Sequence, residues 1–66
     1  MILINGVSFN LGSEKNLALL FEQFNIDTPK GIAVAVNNKV ISRTSWKELQ
    51  IKENDTIIII KATQGG

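Results

Sequence analysis

Apolar and polar positions along this chain fall into short segments with two distinct periods. Met1 to Ile4 is apolar and β-branched, Asn5-Gly6 interrupts it, and Val7-Ser8-Phe9-Asn10-Leu11 then alternates strictly. Asn-Gly between two such runs is a strong hairpin signal, because both central residues of a type I′ turn need positive φ. Gly12-Ser13 ends the alternation, and the period changes. Leu17, Leu20, Phe21 and Phe24 recur at i, i+3, i+4 and i+7, the spacing of one helix face. Ser13 as N-cap, Glu14 in the first turn and Asn25 as a left-handed stop predict a helix over residues 14 to 25. Pro29 then forbids its return.

The second half returns to period two. Ile32, Val34 and Val36 alternate with Ala33 and Ala35, giving a strand with two unlike faces. Asn37-Asn38 is a second turn that suits positive φ, so Lys39 to Ser42 is expected to pair back. Thr44 to Leu49 reads as a cap followed by one short helical turn. Lys52 to Asp55 is a polar turn, and Thr56 to Lys61 is the last strand. The order is ββαββ, a short helical turn, then β. One helix can cross-connect only one parallel pair, so the expected class is α+β, a mixed sheet with one long helix across one face. No segment repeats another.

Most of these positions have plain structural roles. The stripe from Leu17 to Phe24 is core, and Trp46 is a residue at the edge of the core. Glu53 and Asp55 resemble a metal or acid–base pair, but a turn rich in such residues usually bonds its own backbone. Ile57 to Ile60 is the exception to the pattern. A strand covered on one face should alternate, yet both of its faces are apolar. Either Ile57 and Ile59 or Ile58 and Ile60 must point away from the helix. Beside the outward pair, Ala33 and Ala35 would complete a flat apolar area of the kind that marks a docking surface. Taking Ile58 and Ile60 as outward, the candidate docking residues are Ala33, Ala35, Ile58 and Ile60. Arg43 and Lys61 are either solvated charges or contacts for an acidic partner surface, and both readings stand at this point.

Composition narrows the chemistry. Sixty-six residues make one small domain, burying about 60% of its unfolded surface. With neither cysteine nor histidine, disulfides, thiolate catalysis and ordinary zinc sites are excluded. Seven basic and six acidic residues, spread along the chain, leave no nucleic-acid footprint. The apolar runs are too short to span a bilayer, and Met1 to Ile4 lacks the basic start of a signal peptide. A cytoplasmic protein is expected, with no nucleic acid or membrane partner.

The sequence ends in Gln64-Gly65-Gly66, three residues after the last predicted strand. Residues 1–61 are expected to form the domain and 62–66 a flexible arm. Fully extended, five residues reach roughly 16 Å. Glycine carries no side chain, so such an arm can thread a slot too narrow for other residues.

This order, length and ending resemble the ubiquitin-like β-grasp fold, and within it the ThiS family of sulfur carriers for thiamine thiazole formation. The resemblance covers the whole chain. Met1 to Gly6 is similar to the family's opening strand ending in Asn-Gly. Val34 to Arg43 matches its V-x-V-N-x-x-x-V-x-R stretch, with Ile41 where valine is common and Ser42 where proline is common. Trp46 follows Arg43 by three residues, Glu53-Asn54-Asp55-Thr56-Ile57 stands in place of D-G-D-x-I, and Gln64-Gly65-Gly66 is the family's ending. Asn54 replaces a glycine mildly, since Asn tolerates the left-handed region.

The chemistry of a carrier sets its own demands. A carboxylate is a poor electrophile and must be activated before sulfur can attack it. This chain has no glycine-rich phosphate loop and no nucleophile–base pair, so it is not expected to be an enzyme or to bind a cofactor. Its one sulfur, in Met1, is not a transferable thiol. Carried sulfur would therefore sit at the Gly66 carboxyl, with Gly65 and Gln64 read by the partner. The resemblance implies the partners: an E1-like adenylyltransferase (ThiF-like) that uses ATP, a persulfide sulfur donor, and a thiazole synthase (ThiG-like) that accepts the sulfur. Two alternatives stand beside it. One is a carrier for another product, as in the small subunit of molybdopterin synthase or the cysteine-forming carriers. The other is a ubiquitin-like binding module whose diglycine is incidental.

Overall fold

A computed structural model describes residues 1–28 and 31–61. The expectations placed on Pro29 and on the arm from Ala62 to Gly66 lie outside the described residues. Among the described residues there are seven strands: β1 (Ile2–Ile4), β2 (Val7–Phe9), β3 (Lys15–Asn16), β4 (Ile32–Val36), β5 (Lys39–Ile41), β6 (Gln50–Ile51) and β7 (Thr56–Lys61). One α-helix, α1 (Leu17–Gln23), lies between β3 and β4, and a 3-10 turn covers Arg43–Ser45. Five strands form one sheet in the order β2-β1-β7-β4-β5, while β3 and β6 pair separately. β7 runs parallel to β1 and antiparallel to β4, so the sheet is mixed and its last strand is central. This is the mixed sheet that the element order predicts, in the β-grasp arrangement that the family resemblance implies.

Left-handed asparagines make the turns. Asn5 and Gly6 have φ of 51° and 81°, and Asn37 and Asn38 have φ of 51° and 71°, so both hairpins take the turn that matches strand twist. Asn54 sits at φ 72°, the backbone for which Gly would otherwise be needed. Asn25, at φ 56°, ends the helix. Its N–H donates to Glu22 O at 3.2 Å, and that of Ile26 donates to Phe21 O at 2.8 Å, closing a Schellman motif.

The helix begins later than its sequence signals suggest. It starts at Leu17 rather than residue 14, with Asn16 as N-cap; Asn16 Oδ1 accepts the Leu19 N–H at 2.9 Å. Lys15 and Asn16 instead pair with Ile51 and Gln50. The first helical N–H groups find partners across the fold, Leu17 donating to Leu49 O and Ala18 to Trp46 O. These long-range acceptors satisfy the helix end where a local Ser13 cap was expected. The 3-10 turn instead starts two residues early, at Arg43, with Ser42 rather than Thr44 as N-cap.

One apolar cluster holds the layers together. Leu17, Leu20 and Phe21 of α1 pack with Ile2, Ile4, Val34, Val36 and Ile57 of the sheet. Leu11, Trp46 and Ile51 close the ends, and Phe24 packs at the periphery, its ring 5.0 Å from that of Phe9. Phe21 meets Trp46 edge-on at 5.0 Å, a favoured aromatic geometry. Burial of each such side chain stabilises the fold by about 1.5–3 kcal/mol before conformational entropy is counted.

Candidate functional site

The face of the sheet turned away from α1 follows from strand register. Ile57 is fully buried, while Ile58 and Ile60 are 40% and 57% exposed, so the even-numbered isoleucines point outward. Ala35 lies opposite Ile58, and Ala33 opposite Ile60. Val40 of β5, 73% exposed, lies opposite Ala35 and extends that row across three strands. On the other side Leu3, 39% exposed, pairs with Thr56. Because directly paired residues share a face, these positions make one continuous surface. Apart from the hydroxyls of Thr56 and of Ser8, which lies opposite Leu3 on the edge strand, it is apolar, and no position on it is charged. The two alanines keep its middle low.

The four apolar docking candidates thus come together, with Ile60 and Ala33 at the end of β7 that leads to residue 62. Leu3 and Val40 belong to the same surface and escaped the sequence reading. Their signal was available: Leu3 stands between the inward Ile2 and Ile4, and Val40 alternates with the half-buried Ile41.

Lys61 and Arg43 lie elsewhere. Lys61 pairs with Ile32, which packs against the core, so its position belongs to the helix side of the sheet. The Arg43 guanidinium stacks 4.6 Å from the centre of the Trp46 ring, and its Nη1 donates to Thr28 O at 3.2 Å. This contact spreads a cation over the quadrupole of a buried indole. It also ties the 3-10 turn to the segment following the helix.

The Lys52–Asp55 turn is structural. Asp55 Oδ2 accepts the Lys52 N–H at 2.8 Å, and Oδ1 accepts from Asn37 Nδ2 at 2.9 Å. Glu53 pairs with the Met1 amino group. Among the described residues, no group of three or more acidic side chains is placed to hold a metal ion. No helix among them is long and apolar enough to cross a membrane. Gly66, Gly65 and Gln64, the predicted site of chemistry and its recognition elements, lie outside the described residues.

Comparison with solved structures gives a crystal structure of a thiamine biosynthesis protein (ThiS) from Geobacter metallireducens. It has a TM-score of 0.83 at 21% identity, covering 98% of this chain and 97% of that one. An NMR solution structure of a thiamine biosynthesis protein from the same organism gives 0.72 at 18% identity, covering 98% and 86%. At these identities the likeness speaks for the fold. No curated protein matches the chain. The sequence model of the ThiS family matches residues 2–66, which takes in both hairpins, the Asn54 turn and Gln64-Gly65-Gly66. The chain belongs to the ThiS family.

Proposed function

We propose that this protein is the sulfur carrier of thiamine thiazole formation and that it carries sulfur at the Gly66 carboxyl. The observation that carries the proposal is the family match running through residue 66 in a chain without cysteine. A carrier with no side-chain thiol must hold sulfur at a backbone carboxyl.

The steps follow from carbonyl chemistry. The Gly66 carboxylate oxygen attacks the α-phosphorus of ATP in an E1-like, ThiF-like adenylyltransferase, releasing pyrophosphate. The terminal sulfur of a persulfide donor attacks the activated carbonyl carbon, and AMP leaves. A thiol then reduces the resulting acyl disulfide, freeing the thiocarboxylate and taking the donor sulfur into a new disulfide. A ThiG-like thiazole synthase receives the sulfur. ATP is bound by the partner, and this chain contributes no catalytic group.

The outer sheet face is proposed as the surface that both enzymes grip in turn. Its apolar, uncharged character supports this, as does the position of Ile60 and Ala33 where β7 leads into residue 62. Arg43 and Lys61 would make only peripheral contacts, since they lie off this surface. Residues 62–66, with Gly65 and Gln64 beside the reacting end, are the arm that enters the partner. The location proposed is the cytoplasm, where ATP and persulfide donors are at hand.

Intact-mass measurement tests the reading. After incubation with ATP, the cognate adenylyltransferase and a sulfur source, the protein should gain the mass difference between sulfur and oxygen. Fragmentation should place that gain on Gly66. Sulfur found on any other residue, or no adenylation at Gly66, would overturn the proposal.

A further inference from the structure

β7 is held unequally on its two sides. Its ladder with β4 extends from Ile57 to Lys61, whereas its ladder with β1 covers only Thr56 and Ile57. β1 ends there because the chain turns at Asn5-Gly6. Past Ile57, the β1 side of β7 would be an open edge.

Asn5 continues the ladder by other means. Its backbone N–H donates to Ile57 O at 2.9 Å. Its side-chain Oδ1 accepts the Ile59 N–H at 2.7 Å, and Nδ2 donates to Ile59 O at 3.3 Å. The amide thus presents one acceptor and one donor to both backbone groups of a single residue, as a strand neighbour would. This needs the side chain to lie alongside β7, which the left-handed backbone of Asn5 at φ 51° permits. Glycine would make the turn equally well but would leave Ile59 without this partner.

A matched clasp stands at the other end of the strand. Asn37, also at φ 51°, donates its N–H to Thr56 O at 2.8 Å and accepts the Thr56 N–H on Oδ1 at 3.0 Å. The two asparagines therefore hold the two ends of β7, from opposite neighbouring strands. Of the two, Asn5 holds the half that leads to residue 62, on the side where β1 no longer pairs.

We infer that Asn5 is a positioning residue for the carrier chemistry: by clamping Ile59 it fixes the direction in which the chain leaves the sheet toward Gly66. The inference rests on the proposed carrier function. The outer face governs how tightly a partner docks, and the clamp governs how often the docked arm enters correctly. Losing orientation of a reacting group costs rate at saturation rather than affinity.

The experiment compares Asn5→Gly, Asn5→Asp and Asn37→Gly with the wild-type chain. Glycine preserves either turn and removes one clasp, so Asn37→Gly controls for lost hydrogen bonds and lost stability. With ATP and the cognate adenylyltransferase, Asn5→Gly should lower kcat for modification by roughly tenfold or more while leaving KM unchanged. Asn5→Asp keeps the acceptor for the Ile59 N–H and should recover part of that loss, whereas Asn37→Gly should stay within about twofold of wild type. A partner-free measurement runs alongside: 15N relaxation should show greater fast motion of the Ile60 and Lys61 amides in Asn5→Gly than in wild type or Asn37→Gly. Equal kcat losses in the two glycine variants, or no loss in Asn5→Gly, would overturn the inference. If the wild-type chain is not modified at all, the carrier reading falls. The relaxation data then decide the clamp alone, and unchanged motion at Ile60 and Lys61 would refute it.

Discussion

Ala35 of β4 lies directly opposite Ile58 of β7 on the sheet face away from the helix, with Val40 on its other flank. A methyl group between two larger apolar side chains makes a shallow saddle. A partner surface can settle there without displacing anything. The same residue in register with Ile57 would have been swallowed by the core, so a one-residue slip of β7 would erase the surface.

Ala35→Arg should therefore weaken binding of both the adenylyltransferase and the sulfur acceptor. The added side chain raises a bulky, unpaired charge in an area that docking would dehydrate. Isothermal titration should show a loss of at least about 1–3 kcal/mol. The melting temperature should change little, because the substitution faces away from α1. Unchanged affinity for both partners would move the interface elsewhere.

Neighbouring isoleucines should behave oppositely. Ile57 is fully buried and Ile58 is 40% exposed. Ile57→Ala should cost about 2–5 kcal/mol of unfolding free energy, the range for a truncated core side chain that leaves a cavity. Ile58→Ala should cost far less, about 1 kcal/mol or below, while reducing partner affinity. Urea titration of the two variants reads the difference. Comparable losses would mean that β7 is inserted the other way round.

Much of this was legible because the sequence states it locally. Asn-Gly and Asn-Asn specify positive φ wherever they occur, so both hairpins could be placed from two residues each. Alternation at Ile32 to Val36 gave β4 its faces, and Asn25 gave the helix its end. The start of α1 was obscured because its partners are distant. Ser13 and Glu14 look like a cap, but Lys15 and Asn16 are drawn into pairing with Gln50 and Ile51, and Leu17 and Ala18 donate to Leu49 and Trp46. No window of neighbouring residues encodes such contacts. The all-apolar run from Ile57 to Ile60 hid its own orientation, which only register against β4 decides. The Asn5 clamp was hidden too, since a turn residue advertises its backbone and not the reach of its side chain.

Arg43 provides a stability test at a position where docking was also expected. Its guanidinium lies 4.6 Å from the Trp46 ring centre and donates to Thr28 O. Arg43→Ala removes the stacking, the hydrogen bond and the covering stem, and should cost about 1 kcal/mol. In a domain of this size that is a fall of roughly 4–8 °C in Tm. Lysine should restore only part, because its point charge lacks the planar fork. Partner affinity should fall much less than with Ala35→Arg. A larger affinity loss than stability loss would make Arg43 a docking contact after all.

The last two residues should be dispensable for folding and indispensable for function. Among the described residues, every fully buried large side chain lies between Ile2 and Ile57, and residues 62–66 include no large apolar residue. Removing Gly65-Gly66 should leave the Tm unchanged and abolish adenylation. A clear drop in Tm would show that these residues are packed, which would weaken the case for an arm that enters a partner. Gly66→Val asks the finer question, since it keeps the length and the terminal carboxylate. Its branched Cβ crowds the carboxyl group, whose oxygen must first attack ATP and whose carbon sulfur must then attack. Docking through the outer face should survive, because Ala35 and Ile58 are untouched, while sulfur incorporation measured by intact mass should be lost. Wild-type incorporation in Gly66→Val would mean that the reacting carbon is not the Gly66 carboxyl.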